Sequence, residues 1–579
     1  MQTFACGAAV YNGGVPKLFY TKAAFYDILL NAANASIGDV YVFAHNASYD
    51  LSLTGIKKDI ILGEKLGTFK RADKFMVENV VYVKYQRQYK RNGKRQRQQL
   101  IFLDSYQLLH GSLKSLAATF AAGEKYASDE DYSLSPAEWN KYIRENGAAL
   151  AASDAEILYN ILTKFFARLE RLRVPFGITL PSMAWLYFKL NILDTTLRYR
   201  NDTRYNANIL EAYRGGFNNL FAPGAYKYIR DYDVNSLYPY SMANRKMPKK
   251  YIGYHRQTFT LPTYRRLAKK YYVIADVEFI LPRDVQMSFI VKKIYGKLIP
   301  LQGGRLWLHQ CEIDWLISHN ALLIMHGAYL YEYSTTLFDD YVYGWYKIKN
   351  DATARRDEGL RTIAKLFLNT LYGKTGQHRS YALMLPNETI TQLHAPTKLI
   401  IKQHNGTTVI TDYGYFHTIR DDQTIKYAPE LAGAITAYAR ITLAKYVEAA
   451  GIENVIYCDT DSIHTTGKQL DKFISNDLGA LKIENEGEAV YYAPKVYKLN
   501  DKWTYKGVNV KRSVQINENE WETRQFSRAK STLWEGVSVQ TKRKRMTLLN
   551  DKFKWTPARE CFTEEEYIAA YKKRHRRLK

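Results

Sequence analysis

The sequence predicts a multidomain chain of mixed α/β and α+β architecture. Three observations carry that expectation. Residues 1–175 alternate short β-like runs with helical stretches, the signature of an α/β domain. Residues 250–345 are rich in aromatic and β-branched residues in strand-like runs. The 579 residues, 46% of them hydrophobic, suffice for several domains or one multi-lobed enzyme and lack the low hydrophobicity of a disordered chain.

Taken in order, the first region predicts strands at Val40–Ala44, Val80–Tyr85 and Leu100–Leu103, with helices at Ala23–Ala33 and Ala148–Arg173. Pro175, Pro181 and the run Tyr213-Arg214-Gly215-Gly216 mark a junction. Ile229–Tyr240 reads as a strand running into a turn and helix, and Tyr271–Ile280 as a strand. One long helix is expected from about Ala352 to Leu371. Residues 378–427 carry hairpin signals, including Asn405-Gly406. A helix at Glu430–Ala449 leads into Val455–Thr466, where two apolar runs flank Asp459-Thr460-Asp461: a hairpin with carboxylates at its tip. No internal repeat or low-complexity tract occurs, and the tail from about residue 514 is charged and mixed.

Composition narrows the function classes. No run of 18 or more apolar residues argues for a membrane span, and the first residues lack a secretory signal pattern. The four cysteines are far apart without a C-x-x-C pair, which speaks against a zinc site or disulfide framework and for a reducing compartment. The net charge of +26 fits a phosphate backbone as partner, and 48 Tyr and 24 Phe supply faces for unpaired bases. The basic runs Lys90–Arg97, Lys542–Arg545 and Lys572–Lys579 read either as nucleic-acid contacts or as solvated surface.

Carboxylates on a rigid turn repel each other unless a cation lies between them, which is how Mg²⁺ is held beside substrate phosphates. Alone, Asp459-Thr460-Asp461 is as well read as a solvated acidic turn. A second carboxylate, Asp233, ends a β-like run in Asp231–Pro239; alone it is an ordinary strand-end Asp. Arg361, Lys365, Asn369 and Tyr372 follow i, i+4, i+8 and i+11 spacing and so share one helix face, either a cradle for a triphosphate and its base or a polar outer surface. Together, carboxylates from two places and a basic helix are what two-metal phosphoryl transfer requires.

In this order D-x-x-S-L-Y-P (Asp233–Pro239), K-x-x-x-N-x-x-Y-G (Lys365–Gly373) and Y-x-D-T-D-S (Tyr457–Ser462) resemble the three polymerase motifs of family B DNA polymerases. Tyr213-Arg-Gly-Gly216 resembles that family's linker between exonuclease and polymerase domains, Thr436–Arg440 its helical motif before the hairpin, and Lys495-Val-Tyr497 its primer-holding element. Length and the two insertions resemble the protein-primed branch, which copies linear phage, plasmid and viral genomes from a terminal protein's hydroxyl. The resemblance implies an RNase H-like, exonuclease-type N-terminal domain (1–175) before a right-hand polymerase. Its palm would span 176–245 and 428–513, the fingers 346–377 and the thumb 514–579. The insertion at 246–345 would receive terminal protein and duplex, and that at 378–427 would form a clamp for processivity and strand displacement.

It further implies that Asp233 and Asp461 hold two Mg²⁺ ions (Mn²⁺ as substitute), with Asp459 in support. Ser236, Leu237, Tyr238, Arg361, Lys365, Asn369 and Tyr372 would bind the incoming nucleotide, Tyr238 clashing with a 2′-OH. Tyr213, Gly215, Gly216, Thr436, Arg440, Lys495 and Tyr497 would contact DNA. The implied partners are template and primer DNA, deoxynucleoside triphosphates and a terminal protein. The chain would act as a monomer in the host cytoplasm, or in an organelle where the element lives there.

The front end departs from the pattern. His45–Asp50 matches the second exonuclease motif, with Asn46 and Tyr49 toward single-stranded DNA and Asp50 toward metal, and Asp104-Ser105-Tyr106 resembles the segment holding the strand. No D-x-E precedes residue 50, and the third motif fits either Tyr142 with Asn146 or, preferred here, Asp154. The expectation is polymerase activity with weak or no 3′–5′ exonuclease, or else a start lying upstream. A catalytically silent DNA-binding relic is the competing reading; an RNA-templated polymerase fits the motif contexts less well.

Overall fold

A computed structural model of the chain describes most of residues 6–126, 136–377 and 428–526. Beyond these it describes only strands within 379–421 and 539–545 and a few residues between 563 and 569. Tyr49 and Lys572–Lys579 lie outside the described residues.

In the N-terminal region, among the described residues, β1 (Gly7–Ala9) pairs only with β2 (Lys17–Phe19). Helix α1 (Lys22–Ala35) starts where the Thr21 hydroxyl accepts the Ala24 N–H, a cap of about 1 kcal/mol. Strand β3 (Val40–Ala44) runs parallel to β5 (Lys94–Asp104), which forms a long hairpin with β4 (Tyr82–Arg91). Asn92 and Gly93, both at positive φ, make the tight turn whose twist suits a two-residue hairpin. Helix α2 (Pro136–Arg171) starts a dozen residues before its expected beginning at Ala148.

Helix α3 (Thr203–Ala212), capped by Asp202, delivers the chain to Tyr213–Gly216. There the main sheet begins, with β6 (Asn218–Leu220) and β7 (Gly224–Val234), followed by the short α4 (Leu237–Met242). An inserted four-stranded antiparallel sheet comprises β8 (Met247–His255), β9 (Tyr272–Ile280), β10 (Gly303–His309) and β11 (Leu322–Ser334) in the order β8-β11-β9-β10, with α5 (Gln310–Ser318) after β10.

The single helix expected over Ala352–Leu371 is two: α6 (Asp339–Ala354) and α7 (Glu358–Thr375). Arg356 takes positive φ and the Asp357 carboxylate accepts the Leu360 N–H, so one helix stops and the next is capped within three residues. The hairpin signal at Asn405-Gly406 is borne out by Lys398–Gln403 pairing with Gly406–Thr411. These strands belong to a five-stranded sheet whose edge is Phe75–Met76 from the N-terminal region, paired with Arg379–Leu385.

Helix α8 (Pro429–Ala450) is buried along nearly its whole length and packs on α4, α5 and α7. It leads to the hairpin β12 (Val455–Asp459) and β13 (Ser462–Thr465), then β14 (Leu481–Ala493), β15 (Val496–Leu499) and β16 (Lys502–Tyr505). The main sheet is antiparallel throughout, in the order β16-β15-β14-β7-β13-β12-β6. Sequence-distant β7 thus lies between the hairpin and β14. The strand Val539–Arg545, which holds the second basic run, pairs with Glu520–Phe526. Among the described residues no helix is long and apolar enough to cross a membrane.

Candidate active site

Strand pairing brings the three polymerase-motif aspartates together. Asp233 stands opposite Ser462 in the β7–β13 register, and Asp459 pairs with the same Ser462 across the hairpin. The turn is clamped from both sides: Thr460, at positive φ, donates its N–H to the Phe217 carbonyl (2.7 Å), and Val234 donates to the Asp461 carbonyl (2.8 Å).

The electrostatics are those of a cation site. Burial first, then Asp233 and Asp459, push the Asp461 carboxyl up to about 6. Burial raises Asp233 as well, and Lys482 partly offsets it. Lys482 Nζ lies 3.1 Å from Asp233 Oδ2 and Lys495 Nζ 3.0 Å from Asp459 Oδ2, so two ammonium groups stand against the carboxylates. Among the described residues no three His, Cys, Asp or Glu side chains form a ready metal site. The donors are nonetheless all hard carboxylate oxygens, which suits Mg²⁺. Lysine charges on two of the carboxylates mark where positive charge is favoured.

Nucleotide-motif residues flank the aspartates. Ser236, in the left-handed region, starts α4 and points the chain back over the sheet. The Tyr238 ring stacks on Tyr372, centroids 4.0 Å apart, so α4 and the end of α7 meet in one aromatic pair. Burial, and then Tyr372, raise the Tyr238 hydroxyl pKa. On α7, Lys365 and Asn369 are exposed, Arg361 and Tyr372 half-buried, while Ile363, Phe367 and Leu371 are in the core; the polar stripe is an outward face. Arg361 bonds Glu358 one turn back. The Leu237 side chain is 1% exposed, which corrects the expectation of a nucleotide contact: it packs in the core beneath the sheet.

The linker residues lie against this centre. A Cβ on Gly216 would come within 2.7 Å of Thr460 Cγ2 and 3.0 Å of the Tyr238 hydroxyl, so glycine is required by close approach. Tyr213 packs on Gly376 at the end of α7. Lys495 also donates its N–H to the Tyr457 hydroxyl, which in turn donates to Asp459 Oδ2, and Tyr497 stacks on Tyr491. Thr436 and Arg440, expected to touch DNA, are each only 1% exposed. Thr436 Oγ1 donates to the Ala432 carbonyl and Arg440 gives both Nη arms to buried acceptors, so neither side chain is presented at the surface for the expected DNA contact.

At the exonuclease-like end, Asp50 and Asp154 do face each other, whereas Asn146 bonds Tyr126 and Tyr142. A third carboxylate, expected only as part of the strand-holding segment, joins them: Asp104, whose Oδ1 accepts the N–H of Asn46 and of Tyr106. Its signal was its place at the end of a β-like run. Loss of hydration, then Asp104 and Asp154, push the Asp50 carboxyl up to about 7, although its side chain keeps an exposed edge. Burial raises Asp154, opposed by Lys125. Ser105 is 2% exposed, its hydroxyl donates to the Ala44 carbonyl and its oxygen lies 3.0 Å from His45 Nδ1, so its side chain is not presented for the expected contact with single-stranded DNA; Asn46 remains exposed. A cavity of about 690 Å³ separates β1 from β3, walled by Ala151, Leu158 and Phe166 of α2 and open to Asp50 and Asp154. Among the described residues neither strand pairs across it.

Residues 123–478 match the family described as DNA polymerase type B, organellar and viral. The chain belongs to this family. Its relatives include a probable DNA polymerase of Ascobolus immersus, 26% identical over 361 residues, and the DNA polymerase of Bacillus phage phi29, 27% identical over 286 residues. The chain spans only 29% of the first and 44% of the second. Family members of known structure share the fold. The phi29 DNA polymerase complexed with primer-template DNA superposes with a TM-score of 0.66 at 19% identity, covering 94% of this chain and 99% of that one. The same polymerase complexed with primer-template DNA and incoming nucleotides gives 0.64.

Proposed function

We propose that this protein is a template-directed DNA polymerase of the two-metal kind. The observation that carries the reading is the gathering of Asp233, Asp459 and Asp461 on adjacent strands beside the Tyr238–Tyr372 stack. Asp233 and Asp461, with Asp459 in support, would hold two Mg²⁺ ions, which supply activation of the attacking hydroxyl and charge neutralisation on the leaving pyrophosphate. The primer 3′-hydroxyl attacks the α-phosphorus of a deoxynucleoside triphosphate; a P–O bond forms, the α–β bridge breaks and pyrophosphate leaves.

The chain's own side chains position and select. Lys365 and Arg361 on the outward stripe of α7 take the triphosphate, and Asn369 and Tyr372 border the new base pair. Tyr238 excludes a 2′-OH. Lys495 and Tyr497 steady the primer strand, and Lys495 holds a positive charge beside Asp459. In this reading the main sheet with α8 is the palm, residues 346–377 with α7 the fingers, 246–345 and 378–427 the terminal-protein and clamp insertions, and 514–579 the thumb. Initiation on a terminal protein's hydroxyl, with strand displacement on a linear genome, extends the proposal and is supported by likeness to phage relatives.

Primer extension with Mg²⁺ and deoxynucleotides tests the core of it, with Asp461→Asn as control. Equal inactivity of wild type and variant would favour a DNA-binding relic. Priming is tested by incubating protein, template and labelled nucleotide with and without the element's terminal protein; label must become covalently attached to protein.

A further inference from the structure

The most enclosed charged cluster of the described residues joins three segments that are distant in sequence. Glu312 on α5 is 0% exposed, Arg440 on α8 is 1% exposed and Arg214 in the linker is 3% exposed. Glu312 Oε1 accepts from Arg440 Nη2 at 2.8 Å, its Oε2 accepts the His309 N–H at 3.0 Å, and Arg214 Nη1 lies 3.8 Å from Oε2. The other arm of the Arg440 fork, Nη1, donates to two consecutive carbonyls, Arg214 at 2.7 Å and Gly215 at 2.8 Å. Arg214 Nη2 donates to the Trp307 carbonyl at 2.9 Å, which ties the linker to β10 of the insertion. Burial pushes the Glu312 carboxyl up, and the neighbouring Arg440 and Arg214 more than offset it, holding it below the usual range.

The residues after those two carbonyls are the ones that touch the candidate catalytic turn. Gly216 lies against Thr460 and the Tyr238 hydroxyl, and the Phe217 carbonyl receives the Thr460 N–H. A guanidinium fixed at one end by a carboxylate holds two carbonyls in a set plane, because its donors diverge in a rigid fork. Without Glu312, Arg440 would be a buried cation lacking its carboxylate, free to draw in water or swing, and the linker would lose its anchor.

We propose that Glu312 is a positioning residue for the Asp459–Asp461 turn and for Tyr238, acting through Arg440 and the Arg214–Phe217 backbone. The inserted sheet thereby sets the geometry of nucleotide selection without touching the nucleotide. The activity readouts of this proposal rest on the polymerase reading; the proposal itself concerns the seating of the turn.

The test uses the full chain, with Glu312→Gln, Glu312→Asp and Gly216→Ala. Three quantities are measured: kcat and KM for single-nucleotide insertion, the preference for deoxy over ribo nucleotide, and hydrogen exchange at the Thr460 amide. Displacements of about an ångström at a reacting centre cost up to about 10²-fold in rate. Glu312→Gln is expected to lower kcat at least ~10-fold and the sugar preference by a similar factor, with KM little changed and Thr460 exchanging faster. Glu312→Asp recovers part of each. Gly216→Ala gives the same pattern, and the double variant with Glu312→Gln is no worse than the poorer single, because both act through one contact. Unchanged sugar preference and unchanged Thr460 exchange, or multiplicative losses in the double variant, overturn the proposal even where the melting temperature falls. If Glu312→Gln does not fold, Glu312→Asp and Gly216→Ala decide by the same readouts. If the wild type extends no primer, the polymerase reading fails, and Thr460 exchange alone still decides the positioning role.

Discussion

The two carboxylate centres of this molecule are built on different supports. Asp233, Asp459 and Asp461 lie on strands and a turn inside one seven-stranded sheet, where β7 is paired on both flanks. Asp50, Asp104 and Asp154 come from a loop-helix junction, a strand end and a long helix, around a cavity of about 690 Å³. Among the described residues, strand β3 beside that cavity is paired on one flank only. The contrast teaches that raised acids alone do not distinguish the two centres, since both show them. What differs is the support: one sheet carries all three aspartates of the first, whereas three separate elements around a cavity carry those of the second.

The sharpest way to break the comparison is at the main sheet. Asp233→Asn and Asp461→Asn should each lower primer extension on the order of 10³-fold or more, the several kcal/mol that metal binding contributes to such a reaction. Next in size is sugar selection: Tyr238→Ala should raise ribonucleotide incorporation on the order of 10²-fold in competition assays, with primer binding intact. Lys365→Ala should raise KM for nucleotide roughly 10-fold, the value of one charge-assisted contact, in steady-state kinetics.

The same kind of change at the other centre should do little to activity. Wild type should degrade a single-stranded oligonucleotide at a rate that Asp50→Asn and Asp154→Asn do not lower; a normal rate abolished by either change would show that this centre works. Its effect should instead appear in stability. The Asp50 pKa is raised to about 7 in the folded protein, above the ordinary carboxylate value near ~4 of the unfolded chain. The folded state therefore binds a proton that the unfolded state releases, and this favourable contribution is present at low pH and lost as pH rises through about 7. Asp50→Asn should raise the melting temperature at about pH 8 and flatten its fall between about pH 4 and pH 8.

Much of the main site was legible because its signals are local. The hairpin at Val455–Thr465 follows from two apolar runs and a short polar turn, and the α7 stripe from helical spacing within a dozen residues. What escaped depends on long-range pairing. Lys482 meets Asp233 only because β14 and β7 pair in register, and nothing near either residue announces it. Arg440 reads as a DNA contact until Glu312, on helix α5 of the insertion, is seen to hold it in the core. The break between α6 and α7 was missed because Arg355-Arg356-Asp357 contains neither Gly nor Pro; the left-handed turn is taken by an arginine.

One pairing described above bears on how this chain can be handled. The edge of the second inserted sheet is closed by Phe75–Met76, two residues contributed by the N-terminal region. A fragment made by deleting that region would leave Arg379–Leu385 with open amides and carbonyls along one side, a template for pairing with a second copy. Trimming the N-terminal region away would therefore expose this edge and favour pairing between copies.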